Sequence, residues 1–211
     1  MQRFQNYPFI CSLLAIIVTW FLVVITNYRV GTWLIGWDSL LPEINIWLNI
    51  SRSLTAAWQE YQGLGLLGGI GHGSEITRQI LLLPFILSLP TSLIRYLWTF
   101  AMLLLGPLGV FFWTRQLIKD KLSLSSYFVE LSALVASLAY LLNLATIQYF
   151  FLPLEAFSSF YGFLPWLLMT AVQYLHTPSS KRLWKFAVWS LLATSAFHVQ
   201  TLFVVYAIVL G

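Results

Sequence analysis

The chain has 211 residues, of which 59% are hydrophobic and only 9% are charged, and its mean hydropathy is +0.81. Soluble domains carry about 25% charged residues, so this composition excludes an ordinary soluble domain and predicts an integral membrane protein. Basic loops beside a membrane account for the net charge of +4, and no basic run with interleaved aromatic residues indicates nucleic-acid binding. The single cysteine, Cys11, excludes an intrachain disulfide and a cysteine-based metal cluster.

Apolar segments alternate with polar loops, which predicts an all-α protein, a polytopic bundle of about five transmembrane helices. Each apolar segment is near the roughly 17–25 residues that a helix needs to cross a bilayer. No small-x-small cleavage pattern follows the first segment, so we interpret it as an uncleaved helix rather than a signal peptide. The predicted spans are 8–25, 91–113 with a kink at Pro107, 127–147, 158–175 with a bend at Pro165, and 184–211.

The distribution of Lys and Arg predicts the orientation of these spans, since cytoplasmic loops carry an excess of both. The short loops at 115–121 and 176–185 are basic, whereas the turn around Glu155 has no Lys or Arg. We therefore expect an integral plasma-membrane protein with a cytoplasmic N-terminus and a large extracytoplasmic first loop, about 27–90. Because the last segment is apolar to its end, we interpret residues 1–211 as the N-terminal part of a longer transmembrane domain.

The large first loop holds four of the seven acidic residues and is predicted to contain two helices that lie on the membrane surface. Apolar side chains recur at spacings of three and four over 47–61, opposite a polar face, which is typical of an interfacial amphipathic helix. Glycines over 63–73 are expected to form a flexible hinge between the two helices. A second helix over 74–83 follows, capped by Ser74 and stopped or bent by Pro84.

Asp38 and Glu43, in the sequence GWDSLLPE, are the candidate catalytic residues. The flanking Trp33 and Trp37 create a semi-apolar interface where desolvation disfavours the charged carboxylate, which suits a general base or a cation ligand. The alternative is a solvated turn in which Asp38 caps a helix. If the outer loops converge, Glu155 supplies a further carboxylate, and such a pair suits acid–base chemistry or a divalent cation, Mg²⁺ or Mn²⁺. No other cofactor is indicated.

Further polar residues are candidates for substrate binding. Arg52 and Arg95, near the outer surface, suit bidentate contacts with a lipid phosphate, although Arg52 equally suits a solvated helix face. The GxGxxG match at 63–68 follows a helix rather than a strand, which excludes a dinucleotide site. The candidate substrate-binding residues are Arg52, Gln59, Glu60, His72, Arg95 and Glu155.

The order of these features resembles the N-terminal part of a GT-C-type membrane glycosyltransferase. In that class one span leads into a large outer loop with two interfacial helices and an acidic catalytic residue. The segment WDSLLPEINIWLNISRSLTAAWQEYQGLGLLGG is similar to prokaryotic proteins related to the alpha-(1→3)-arabinofuranosyltransferases. The resemblance implies transfer of a sugar from a polyprenyl-phosphate donor to an extracytoplasmic glycan or lipid acceptor of the cell envelope.

The resemblance also implies roles for individual residues. Asp38 matches the first-loop acid by position and would deprotonate the acceptor hydroxyl, with Glu43 and Glu155 assisting it or binding a cation. The sequence has no clear Asp-x-Asp pattern, a departure that leaves metal dependence open. Residues 1–211 would form only part of a single GT-C-like transmembrane domain and would be inactive alone.

Two other classes of function stay open on the sequence. A transporter or flippase would use His198, Gln200 and Arg95 as a polar path through the bundle, because polar groups at membrane depth face other helices or a water-filled cavity. A non-catalytic membrane assembly protein would need none of these residues.

Overall fold

The computed structural model describes residues 7–35, 42–55, 75–122, 124–151 and 153–210. Within these ranges the regular elements are all helices and no strand occurs, which confirms the predicted all-α fold. The elements, in chain order, are α1 (Tyr7–Asn27), a 3-10 turn (Pro42–Ile44), α2 (Ile46–Leu54), α3 (Ile76–Ile86), α4 (Thr91–Lys121), α5 (Ser126–Leu142), α6 (Leu144–Phe151), α7 (Glu155–His176), α8 (Ser180–Leu192), α9 (Ser195–His198) and α10 (Gln200–Leu210).

Two of the described helices, α1 and α4, are long and apolar enough to cross a membrane, and α5 with α6 would form a third span bent by 43°. Apolar side chains face outward along α1, among them Leu14, Phe21 and Leu22, each more than half exposed. A large apolar surface of this kind suits contact with lipid rather than water. These helices therefore indicate membrane insertion, while the number of five spans stays a prediction.

Helices α4 and α7 run in the same direction and pack closely against each other. Arg95 pairs with Glu155 at their N-terminal ends, and Gln173 Nε2 donates to Gln116 Oε1 at 2.5 Å near their C-terminal ends. Small residues let the backbones of membrane helices approach each other closely. At this contact, Gly106 of α4 faces the α7 backbone. The core between these helices and their neighbours includes Ile94, Trp98, Met102, Phe163 and Leu167.

The basic segment at 115–121 is helical, so the prediction of a loop there was wrong. Helix α4 continues through the segment, which has no Gly or Pro, and the Nε of Arg115 donates to Glu130 of α5 at 2.7 Å. The second predicted basic loop is also shorter than expected. Helix α8 begins directly after Ser179, whose side chain accepts from the Arg182 N–H at 3.3 Å and caps the helix.

The predicted fifth span is divided into α8, α9 and α10. Its breaks fall around Thr194 and Val199. The Thr194 hydroxyl donates to the Leu191 carbonyl at 2.5 Å and lies 2.7 Å from the Thr77 hydroxyl, while His198 Nδ1 lies 3.2 Å from the Thr194 carbonyl. Side-chain hydrogen bonds of this kind compete with the backbone ladder of a helix. The hydropathy of the sequence did not predict these breaks in the fifth span.

Helix α2 is amphipathic and ends at Leu54, with Thr55 at its C-cap position, so it is shorter than the predicted helix over 47–61. The remainder of that prediction, 56–61, lies outside the described residues. Trp47 is 62% exposed and Leu54 is 73% exposed, whereas Ile46 and Asn49 are buried against the protein. An outward apolar face suits a helix that lies on a membrane surface. The helix begins after Asn45, whose side-chain oxygen accepts from the backbone N–H of Leu48 at 3.1 Å.

Helix α3 corresponds to the second predicted interfacial helix, but its first and last residues differ from the predicted ones. It begins at Ile76, and Glu75 occupies the N-cap position without a side-chain capping hydrogen bond. The predicted cap, Ser74, lies outside the described residues. Pro84 lies inside the helix, which continues to Ile86, so this proline does not stop it.

Candidate functional site

Five charged side chains meet at one end of the bundle, and we name them the ion-pair cluster. Each is at most 6% exposed, which is unusual because isolated buried charges are costly and require partners. They come from four separate elements: the turn before α2, the start of α3, the first turns of α4 and the start of α7. The members are Glu43, Glu75, Arg78, Arg95 and Glu155.

Arg95 connects three parts of the chain. Its Nη1 lies 2.6 Å from Glu155 Oε1 and 3.5 Å from Glu43 Oε2. Its Nη2 donates to the Pro153 carbonyl at 3.3 Å, and its Nε donates to the Leu34 carbonyl. One guanidinium therefore holds the segment after α1, the turn before α2 and the turn before α7, using the forked donors that distinguish Arg from Lys.

Arg78 extends the cluster onto α3. Its Nη1 donates to Glu75 Oε2 at 2.8 Å, and its Nη2 donates to Glu43 Oε1. Its guanidinium carbon lies 5.7 Å from the centre of a Trp98 ring, within the range of a cation–π contact. Glu43 consequently bridges two arginines, one through each carboxylate oxygen.

Three carboxylates face two guanidinium groups in the cluster, which leaves one excess negative charge if all are ionised. Burial, and then the charge of Glu155, raise the pKa of Glu75 well above its ordinary value of 4.5. Burial also lowers the pKa of Arg78 to about 9, so this group remains a cation at neutral pH. Glu75 Oε1 has no hydrogen-bond partner within the described ranges. Protonation of Glu75, which the raised pKa favours, would remove the excess charge.

The raised pKa of Glu75 predicts a pH dependence of stability. The folded state binds this proton more tightly than the unfolded state, so the contribution of Glu75 to stability falls as the pH rises above 4.5 through the folded pKa. Glu75→Gln should therefore show a smaller loss of unfolding free energy between pH 4.5 and pH 7 than the unaltered chain. At pH 7 the Glu75→Gln variant should be at least as stable as the unaltered chain. Thermal unfolding of the detergent-solubilised protein across this range measures both.

Glu155→Gln is the matched comparison, because it removes one charge from the same cluster. Glu155 is ion-paired with Arg95 at 2.6 Å, so its loss should destabilise the protein at pH 7 by about 2 kcal/mol. Equal destabilisation by the two substitutions would contradict the expectation that burial favours the protonated form of Glu75.

The structure brings together Glu43, Arg95 and Glu155, three of the residues singled out in the sequence. Arg52 lies at a half-buried position of α2. Glu75 and Arg78 were not predicted to belong to the site. Their spacing of three residues on a short apolar helix is the signal that could have indicated an ion pair. Asp38, Gln59, Glu60 and His72 lie outside the described residues.

The carboxylates of the cluster do not fit a divalent cation as they are arranged. Both oxygens of Glu43 and one oxygen of Glu155 already contact guanidinium groups, whose positive charge opposes a metal ion. Among the residues that the structure describes, no group of three or more His, Cys, Asp or Glu side chains is placed to hold a metal.

The chain matches no family model, no curated protein and no solved structure. Its fold and site define it as an all-helical protein with two or three candidate membrane-spanning helices and a buried ion-pair cluster at one end.

Proposed function

We propose that this protein is a membrane glycosyltransferase that transfers a sugar from a polyprenyl-phosphate donor to an extracytoplasmic glycan or lipid acceptor. The proposal includes a cytoplasmic N-terminus, about five spans and a first loop on the outer side, so that the ion-pair cluster lies at the outer end of the bundle. The bilayer holds the lipid of the donor, and no nucleic acid takes part.

The observation that supports the proposal most is the attachment of the acidic first loop to the bundle through Arg95. Leu34 and Glu43, which flank the segment containing Asp38, both contact this one guanidinium. A general base must be held within hydrogen-bond reach of the proton that it removes. Leu34 and Glu43 are thus both held to the bundle, and this attachment of the flanking residues suits the requirement.

The exposed apolar face of α2 adds support, because this helix lies in the same first loop. Trp47 and Leu54 project away from the protein, and an interfacial helix would keep the loop at the depth of the donor phosphate. A transferase that uses a membrane lipid as donor needs its acid at that depth rather than in bulk water.

In the proposed reaction Asp38 takes the proton of the acceptor hydroxyl. The acceptor oxygen then forms a bond with the anomeric carbon of the sugar, and the bond from that carbon to the donor phosphate oxygen breaks. Polyprenyl phosphate leaves with the bonding electron pair. Glu43 and Glu155 act as positioning residues, because their oxygens hold arginines and are less available for a proton or a substrate.

Sugar transfer by membranes that contain the full-length protein tests the proposal. Labelled polyprenyl-phosphate sugars are supplied, and Asp38→Asn is compared with the unaltered protein. A lost general base should reduce the rate by about 10²–10⁴-fold. Asn27→Ala, at the exposed C-terminal end of α1, is the control for removal of a polar side chain and should retain activity.

Transfer that is undiminished in Asp38→Asn would contradict the role of Asp38, even if the protein proved to be a transferase. Absence of transfer with every donor, from protein that is folded, would contradict the proposed function.

A transporter or flippase is the second candidate, and the division of the predicted fifth span favours it. Transporters form binding sites at interrupted helices near the bilayer midplane. Buried Thr194 lies in the break before α9, buried Ser195 is the first residue of α9, and His198 is its last residue. Movement of a fluorescent lipid across proteoliposomes, abolished by His198→Ala and unaffected by Asp38→Asn, would establish this function instead.

A further inference from the structure

A second group of charged residues lies at the end of the bundle remote from the ion-pair cluster. Arg115 is twenty residues after Arg95 on α4, which corresponds to about 30 Å along a helix. Arg115 and Lys119 are one turn apart and approach the same carboxylate, Glu130 of α5, at 2.7 Å and 3.8 Å. The Glu130 side chain is 1% exposed, so the two cations share a single buried counter-ion.

Two adjoining cavities open beside these cations, between the last turns of α4 and α7. Their volumes are about 570 and 290 Å³. They share part of their lining, so they form one groove, which we name the basic groove. Its charged and amide side chains lie toward the ends of the two helices, and its aromatic side chains lie toward the middle. The residues used below are Phe112, Arg115, Lys119, Asp120, Trp166 and Arg182.

The cations of the basic groove retain donors for a ligand. Within the described ranges, the hydrogen bond of Arg115 to Glu130 uses only Nε. The guanidinium of Arg115 also lies 4.7 Å from the centre of the Phe9 ring, which fixes its position. Lys119 is 42% exposed, and its distance of 3.8 Å from Glu130 is too long for a hydrogen bond. Both η-nitrogens of Arg115 and the ammonium of Lys119 are therefore available.

The net charge of the groove selects an anion. Arg115, Lys119 and Arg182 supply three positive charges, against one each from Glu130 and Asp120. Arginine and lysine at this density are suited to phosphate, which accepts several charged hydrogen bonds at once.

The shape of the lining further restricts the class of ligand that the groove can bind. Phe112 and Trp166 form an apolar wall that continues the groove toward the membrane-spanning part of α4. A free phosphate would make no apolar contact with that wall, whereas the glycerol and upper acyl chain of a lipid would cover it. Basic pockets between membrane helices bind anionic headgroups in this way.

We propose that the basic groove binds the phosphate headgroup of an anionic phospholipid. Arg115 and Lys119 donate to the phosphate, and Phe112 and Trp166 contact the part of the lipid next to it. The inference does not depend on the proposed sugar transfer, since it concerns the other end of the bundle and needs only membrane insertion.

Native mass spectrometry of the detergent-solubilised full chain tests the proposal. The probes are phosphatidylglycerol, phosphatidylcholine and inorganic phosphate. Phosphatidylglycerol should bind at least about tenfold more tightly than phosphatidylcholine, and Lys119→Gln should weaken its binding by about tenfold, the effect of one charged hydrogen bond. Lys119→Arg keeps the charge and should restore binding. Lys185→Gln removes an exposed cation of α8 outside the groove and should change nothing.

Equal binding of phosphatidylglycerol and phosphatidylcholine would overturn the proposal. So would an equal effect of Lys119→Gln and Lys185→Gln, because a diffuse charge effect does not distinguish the two positions. Inorganic phosphate that binds as tightly as phosphatidylglycerol would identify a free phosphate site and overturn the lipid assignment. A Lys119→Gln protein that fails to fold leaves the decision to the comparison of the three probes on the unaltered chain and on Lys119→Arg.

Discussion

Replacement of Arg95 by methionine is expected to destabilise the folded protein by about 3–5 kcal/mol, the usual cost of breaking a buried charge pair from one side. Methionine fills similar space but cannot donate, so Glu155 loses its ion pair with Arg95, and Glu43 loses its contact with Arg95 but keeps its ion pair with Arg78. The carbonyls of Leu34 and Pro153 lose a donor as well. Several buried acceptors are affected by one substitution.

Equilibrium unfolding in mixed detergent, followed by circular dichroism, measures this effect. Arg95→Lys keeps the charge without the forked geometry and should recover part of the loss, because one ammonium cannot reach four acceptors in fixed directions. Arg29→Gln removes an exposed arginine near the same end of the bundle and should stay within about 0.5 kcal/mol of the unaltered chain. A loss below 1 kcal/mol for Arg95→Met would mean that the cluster does not hold the loops to the bundle.

Replacement of Gly106 by valine is expected to cost about 3 kcal/mol and to separate α4 from α7. A Cβ at Gly106 would lie 2.9 Å from the Tyr161 carbonyl oxygen and 2.8 Å from a ring carbon of Tyr140. The two tyrosines stack at 4.5 Å, and each hydroxyl donates to the carbonyl of the other residue, at 3.0 and 3.1 Å. Because backbone and a doubly fixed ring pair cannot move aside cheaply, the extra atoms are overpacked.

The matched control is Ala139→Val, on an exposed face of α5. It adds a β-branched side chain at an exposed helix position without a packing conflict, so it should change stability by less than about 0.5 kcal/mol. The midpoint of equilibrium unfolding is the measurement that compares the two variants. Similar midpoints for Gly106→Val and Ala139→Val would show that the two helices tolerate a wider separation.

The sequence by itself determined the all-α class, the apolar character of α1 and α4, and the outward apolar face of α2. These features depend on local composition and on spacings of three and four residues, which any isolated segment displays. It also indicated that Glu43 and Glu155 would meet if their loops converged. The positive-inside pattern of Lys and Arg predicts that both loops lie on the same side of the membrane, which is why that meeting could be expected.

Only the tertiary structure decided where the helices end and which charges are buried. Helix α4 extends past its predicted end as Arg115 meets Glu130 on another helix, and the predicted fifth span breaks where Thr194 meets Thr77. Glu75 and Arg78 belong to the ion-pair cluster because Glu43, far away in the sequence, lies against them. Each of these outcomes depends on a partner residue that is distant along the chain. Local patterns of hydropathy and spacing give no information about such a partner.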